Sequence, residues 1–246
     1  MSDWFNLLEQ NIAARRLFAA ATVVAGPSGV GLKSFIYPDG TIQGEAPSEL
    51  QARVAADARM LMEQELSETR IYGDYQVFIQ VWAPPPRLII VGAVQTAIPL
   101  AQYARILGFR VLIVDGRAHF ATRERFPEVD ELIVEWPDEA LAHLNIDRST
   151  YVVILTHDPK FDLPALKALE KSPARYIGAM GSRETRRKHM EELRAEGVSA
   201  EFLQTVYGPV GLDLGARSPE EMALSIMAEM IAVRYGHAGG HLKSET

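Results

Sequence analysis

Five short apolar runs, rich in Val, Ile and Leu, recur at residues 88–91, 111–114, 132–134, 151–155 and 176–177, and their spacing constrains the fold more than any other feature of the chain. The first two and the fourth are apolar at successive positions, as a strand buried on both faces requires, whereas a half-solvated strand would alternate. Stretches with helical character fall between them, at about 96–107, 138–144 and 163–169, and another follows at 184–195. Strands alternating with helices imply right-handed crossovers, which place helices on both faces of one parallel sheet. The expectation is an α/β chain whose larger part, residues 87–236, is a Rossmann-like doubly wound parallel sheet.

Upstream the texture differs. Ala83-Pro84-Pro85-Pro86 removes three consecutive amide donors, so neither a helix nor a strand ladder continues through it. Residues 1–83 before it read as a small α+β domain. It begins with a helix over 4–18, on the spacing of Phe5, Leu8, Ile12 and Phe18, with Asp3 as N-cap. A strand, a Gly-rich turn and a hairpin at Pro38-Asp39-Gly40 follow, then a helix over 48–65 and two strands near 70–72 and 76–82. The Gly-rich polar tail, 237–246, is expected to be disordered, with His237 and His241 as bystanders.

Composition removes several function classes. Lys and Arg number 25 against 32 Asp and Glu, a formal net charge of -7, so the clustered positive charge of a nonspecific nucleic-acid binder is missing. With 0 cysteines there is no disulfide framework, thiolate metal site or catalytic thiol, and nothing suggests a structural metal. No apolar run approaches the roughly 20 residues that span a bilayer, and the start MSDWFNLLEQ lacks the features of a signal peptide. A cytoplasmic protein without membrane contact is the expectation.

The candidate site residues lie in the turns that follow the apolar runs. Val91-Gly-Ala-Val-Gln-Thr-Ala97 stands where a dinucleotide fold places its phosphate loop, but Val94 occupies the position of a second glycine. Gly92, Ala93 and Gln95 are therefore either phosphate-loop residues or parts of a plain strand-to-helix turn. Asp115 falls 23 residues after Gly92, close to the roughly 20 expected of a ribose-binding acid, and Arg117 follows as a candidate for a phosphate. The alternative for Asp115 is a turn cap. Thr156 and His157 end the fourth strand, where the crevice of an open parallel sheet lies, and His157 is a weak catalytic candidate or a solvated loop residue.

Tyr176-Ile-Gly-Ala-Met-Gly-Ser-Arg183 is the strongest local signal. Gly178, Met180 and Gly181 lead into a helix capped by Ser182, and such a turn gathers N–H groups at a positive helix end, an anion site that needs no catalytic side chain. Arg183, Arg186, Arg187 and Lys188 add charge, part of it paired with neighbouring glutamates. The Gly-rich loop from Gly208, with Pro209 and Gly211, precedes Ser218-Pro-Glu-Glu221, which combines an N-cap, Pro at N1 and a capping-box glutamate. Met222, Ala223, Ile226, Met230 and Ile231 then form a stripe expected to pack in the core.

The stretches THDPKFDLPAL, ARYIGAMGSRETRRKHMEEL and YGPVGLDLGARSPEEMALSIMAEMIAVR resemble the XdhC/CoxI family of accessory proteins for molybdenum hydroxylases, and the resemblance extends back through VDGRAHFATRERFP to LIIVGAVQTA. It implies a maturation factor or cofactor chaperone rather than a catalyst. Such a protein holds, modifies or delivers the pterin molybdenum cofactor, as molybdopterin or its dinucleotide form, to a client xanthine, carbon monoxide or aldehyde dehydrogenase. Partners implied with it are a cysteine desulfurase, another family member, or a second copy in a homodimer. The chain departs from the family's pattern in lacking its cysteine motifs and in carrying Val94-Gln95 where Gly-His is usual. A noncatalytic assembly partner and an NAD(P)-dependent oxidoreductase are the competing readings, so NAD(P) stays an alternative ligand.

Overall fold

The computed structural model describes residues 2–243. The chain divides into two compact units, Met1–Pro84 and Pro85–Thr246.

The first unit is an antiparallel sheet with one helix on each face. Its elements are α1 (Ser2–Ala13), β1 (Phe18–Ala25), β2 (Lys33–Ile36), β3 (Ile42–Gly44), α2 (Ser48–Gln64), β4 (Glu68–Tyr72) and β5 (Tyr75–Trp82), and the strand order is β3-β2-β1-β5-β4. Alternation along β1 sorts the two faces. Ala19, Ala21 and Val23 pack with Leu50, Val54 and Leu61 of α2, while Phe18 and Ala20 pack with Trp4, Leu7 and Leu8 of α1.

The structure corrects the first helix. It stops at Ala13, Arg15 takes a positive φ of 50°, and Phe18 opens β1 instead of closing a helical stripe. Phe5 and Ile12, expected on the packing face, are exposed, because Trp4 stacks on Phe35 at 5.1 Å and rotates the buried face toward Leu7 and Leu8. The cap expected at Asp3 falls on a side chain outside those described.

The second unit comprises β6 (Arg87–Val91), α3 (Ala97–Ile106), β7 (Arg110–Val114), β8 (Glu131–Ile133), α4 (Pro137–His143), β9 (Thr150–Ile154), α5 (Pro159–Ala168), β10 (Tyr176–Ala179), α6 (Arg183–Ala195), α7 (Ala200–Thr205) and α8 (Pro219–Tyr235). All five strands are parallel, in the order β10-β9-β6-β7-β8. Successive strand residues serve opposite cores. Leu88, Ile90, Val111, Ile113, Tyr151 and Val153 meet Leu100 of α3 and Met227 and Met230 of α8, while Ile89, Val91, Leu112, Val114, Val152 and Ile154 meet Leu141, Leu166, Leu193 and Phe202 from α4, α5, α6 and α7. This double coverage is why the runs read as continuously apolar. The chain winds outward from β6 to β8, returns to β9 and winds the other way, so the order reverses between β6 and β9, which places a crevice at their carboxyl ends.

Three sequence expectations shift here. Helix α5 starts at Pro159, because Asp158 caps it by accepting from Lys160 N at 3.0 Å, and Pro164 sits inside it. The single-turn helix α7, capped by Ser199, is too short for its periodicity to show. In α8 Met227 takes the buried place expected of Ile231, which is exposed, and Met222 is only half-buried. Residues 237–243 are exposed and lie in no helix or strand, and the end of the expected disordered tail, 244–246, lies outside the described residues. Among the described residues no helix is long and apolar enough to cross a membrane.

Candidate functional site: a cleft at the carboxyl edge of the parallel sheet

The turn after β6 is built inward. Gly92 has φ 106° and lies so close to Thr156 that a Cβ would stand 2.6 Å from its Cγ2, so only glycine fits the contact. The buried Ala93 donates its amide to Asp115 Oδ2 at 2.7 Å and accepts from Arg125 Nη1 at 2.7 Å, while Gln95 is exposed.

Asp115 is buried, and its carboxylate accepts from Ala93 N, from Arg117 N and Nε at 2.9 Å each, and from Arg117 Nη2 at 2.8 Å. Burial alone would raise its pKa, but the Arg117 hydrogen bonds and the two amides outweigh this and hold it below the ordinary carboxylate value. Four donors fill the lone-pair directions of the carboxylate, which matches the reading of Asp115 as the residue that shapes its turn. Arg117, forked onto Asp115, lays its guanidinium 4.5 Å from the Phe120 ring centre and 5.1 Å from that of Phe161. At the end of β9 the Thr156 hydroxyl donates to the buried Asp162. Burial pushes the Asp162 carboxyl up to about 7, the Thr156 hydrogen bond opposes this, and the Asp158 charge adds to it.

Beside these turns opens a cleft of about 440 Å³. His157 reaches it from the end of β9, Met180, Gly181, Ser182 and Thr185 from the turn into α6, and Thr96 from the start of α3. Pro209 and Val210 come from the Gly-rich loop, and Arg217, Ser218, Pro219 and Met222 from the start of α8. Three helix N-termini thus meet at one cleft, but they differ in what they leave unsatisfied. At α8 the capping box is closed: Glu221 N donates to Ser218 Oγ at 3.2 Å, Ser218 N to Glu221 Oε2 at 3.0 Å, and Pro219 has no amide hydrogen. At α3 the amides of Ala97 and Ile98 turn back onto Val94 and Gln95, and Pro99 has no hydrogen to give. At α6 the Ser182 hydroxyl takes only the amide of Thr185, at 3.0 Å, so the first turn still presents Ser182, Arg183 and Glu184 N–H groups. Gly181, at φ 143°, makes the bend that aims this end at the cleft.

Of the residues singled out in the sequence, His157, Met180, Gly181, Ser182 and Pro209 line the cleft. Arg183 stands exposed in the first turn of α6, next to the lining. Gly178 is buried in β10 against Val210, and Gly211 donates its amide to Glu229 Oε2 at 3.0 Å, a carboxylate that also accepts from the Tyr176 hydroxyl. Arg187 is paired with Glu184 at 2.8 Å and Glu191 at 2.6 Å, the solvated helix face expected of it. Arg217 is the addition that matters most, since it brings a cation into the cleft; the Ser-Pro-Glu-Glu cap that follows it in the sequence was the available signal. A larger hollow of about 620 Å³ lies along α5, but Lys167 there is bonded to Glu196 at 2.8 Å and the walls carry both signs of charge. We place the site at the smaller cleft because donors converge there. Among the described residues no group of three or more His, Cys, Asp or Glu side chains is placed to hold a metal ion.

Strand order, crevice and cleft together define a Rossmann-like domain. Residues 88–230 match the XdhC Rossmann domain, and the chain belongs to that family. It is similar to a probable xanthine dehydrogenase subunit of Bacillus subtilis (strain 168), at 36% identity over 158 residues, 64% of this chain and 46% of that protein. It is also similar to the molybdenum cofactor insertion chaperone PaoD of Escherichia coli (strain K12), at 37% identity over 95 residues, 39% of this chain and 30% of that protein. The chain thus spans less than half the length of these curated relatives. A solved structure described as a xanthine dehydrogenase from Bacillus halodurans shares the fold, with a TM-score of 0.57 and 21% identity over 98% of this chain and 97% of the other.

Proposed function

We propose that this chain is an accessory protein of molybdenum hydroxylases, one that holds the pterin molybdenum cofactor by its anionic end in the carboxyl-edge cleft and passes it to a client enzyme. The observation that carries this reading is the N-terminus of α6, where Gly181, Ser182 and Thr185 line a cleft that Arg217 also lines and Ser182 caps only the Thr185 amide. Fixed amide dipoles and one guanidinium favour a phosphate over a neutral ligand, and they bind it without making or breaking a bond. The Met180 and Met222 thioethers and Val210 give the same cleft an apolar wall for an organic ring. Because the chain has 0 cysteines, its grip is on the phosphate and pterin rather than on the molybdenum through a thiolate. The names of the relatives point the same way. The client is then a xanthine, carbon monoxide or aldehyde dehydrogenase, met in the cytoplasm.

Calorimetric titration of the protein with molybdopterin cofactor, its cytidine dinucleotide form, NAD and NADP tests this. A pterin form is expected to bind selectively, and Arg217→Ala to weaken it about tenfold, the scale of one charge-assisted hydrogen bond. Binding of NAD or NADP alone would replace this reading with a nicotinamide-dependent oxidoreductase. The missing cysteines favour a second reading, a noncatalytic assembly partner, which would take over if the client bound the protein while no pterin or nucleotide did.

A further inference from the structure

Helix α8 lies on one face of the parallel sheet, with Ala223, Ile226, Met227 and Met230 buried in that core. Its other side carries Leu224, Ala228, Ile231 and Tyr235, spaced by four, three and four residues, so they fall in one stripe along the helix. Leu224 is 52% exposed, Ile231 36% and Tyr235 45%, and Ala228 is half-buried. Past its first turn, α8 has no exposed polar position. Helix α6 of the same unit exposes Glu184, Arg187, Lys188, Glu191 and Arg194, as a helix does when one face packs and the other meets water. The end of α3 widens the apolar stripe. Both helices start at the cleft and pack side by side, and Arg234 of α8 lies 5.8 Å from the Phe109 ring centre, just past the end of α3. There Ile106 is 79% exposed and Leu107 is exposed as well.

We propose that this stripe is where two copies of the chain pair, their α8 helices antiparallel across a two-fold axis. The pairing does not depend on what the cleft binds. Leu224 and Tyr235 share one midpoint with Ala228 and Ile231, between Glu229 and Met230. One axis there sets Leu224 against Tyr235 of the other copy and Ala228 against its Ile231. The small Ala228 leaves room for the larger Ile231, so the helices can approach closely. Charge selects the direction. Glu220 and Glu221 stand at the start of α8, Arg234 in its last turn and His237 just after it. An antiparallel pair brings each acidic start beside the other copy's basic end and opposes the helix dipoles, whereas a parallel pair would gather the four glutamates at one end. Because the cleft lies at the N-terminus of α8, the two clefts fall at opposite ends of the helix pair. With 17 residues α8 is about 25 Å long. Contact along it, even with Ile106 and Leu107, falls short of the ~800 Å² per partner of a standard interface, so the pair is reversible, with a dissociation constant on the order of tens of micromolar.

Sedimentation velocity of the full chain from about 1 to 500 µM tests this, and monomer is expected to pass into dimer across that range. Ile231→Glu sets a charge inside the seam and should weaken the dimer about tenfold or more, with an unchanged melting temperature because the side chain lies outside the core. Leu224→Glu and Tyr235→Lys should each weaken it about tenfold. The double variant should recover most of that loss, since the new carboxylate of one copy then meets the new ammonium of the other. A chain that stays monomeric at the highest concentration overturns the proposal. So does a dimer that survives both Ile231→Glu and Leu224→Glu, which places the interface elsewhere. If Ile231→Glu lowers the melting temperature, the charge exchange decides: recovery in the double variant supports the antiparallel pair, and a double variant no stronger than either single one overturns it.

Discussion

At the residue scale, the buried pair at the end of β9 sets a pH dependence. Asp162 is raised from an ordinary carboxyl to about 7, so the folded state holds its proton more tightly than the unfolded chain does. Stability from this group is complete below about pH 4 and is lost as pH rises through 7. Asp162→Asn keeps an acceptor for the Thr156 hydroxyl and removes the ionisation, so it should stabilise the protein on the order of 1–3 kcal/mol at pH 8 and by much less at pH 5. Chemical denaturation at the two pH values checks this, and an equal effect at both would remove Asp162 as the cause. The sequence showed Thr156 and His157 at the crevice but not Asp162, because nothing in THDPKFDL distinguishes a carboxyl turned inward from one in water. Asp115 shows the same limit from the other side. Its spacing from Gly92 is that of a ribose acid, yet the spacing also lets it reach the Ala93 amide, and only the folded loop reveals which contact is made.

At the scale of the elements, caps were more legible than faces. Ser218-Pro-Glu-Glu announces the start of α8 because Ser218 and Glu221 each accept from the other's amide and Pro219 has no amide hydrogen to leave open, and both of these contacts form. Ser218→Ala should cost about 1 kcal/mol in urea denaturation, the usual loss of an N-cap hydroxyl. The packing face of α1 was not legible in the same way, because Trp4 and Phe5 are neighbours of equal apolarity and the choice between them is made by Phe35, further along the chain in the sheet. The Rossmann strands were readable for the opposite reason, since burial on both faces leaves no polar position to confuse the pattern.

At the scale of the molecule, the apolar and polar parts of the cleft come from turns spread over the second unit, all gathered at one edge by the parallel sheet. Each unit builds its hydrophobic clusters from its own residues. The second unit, expressed from Pro85 onward, should therefore unfold in one cooperative thermal transition; a broad, non-cooperative melt would show that it depends on the first. One carboxylate then takes on a wider meaning. Glu229 holds the Tyr176 hydroxyl at the edge of the sheet and the Gly211 amide in the loop that carries Pro209 and Val210 over the cleft. The same loop is anchored in the core by the buried Val210, whose amide donates to Ala179 O at 3.2 Å, and Leu212 N donates to Ser225 O of α8 at 3.2 Å. This wall of the cleft is accordingly part of the core itself, so a ligand meets a surface already formed there and does not have to order it.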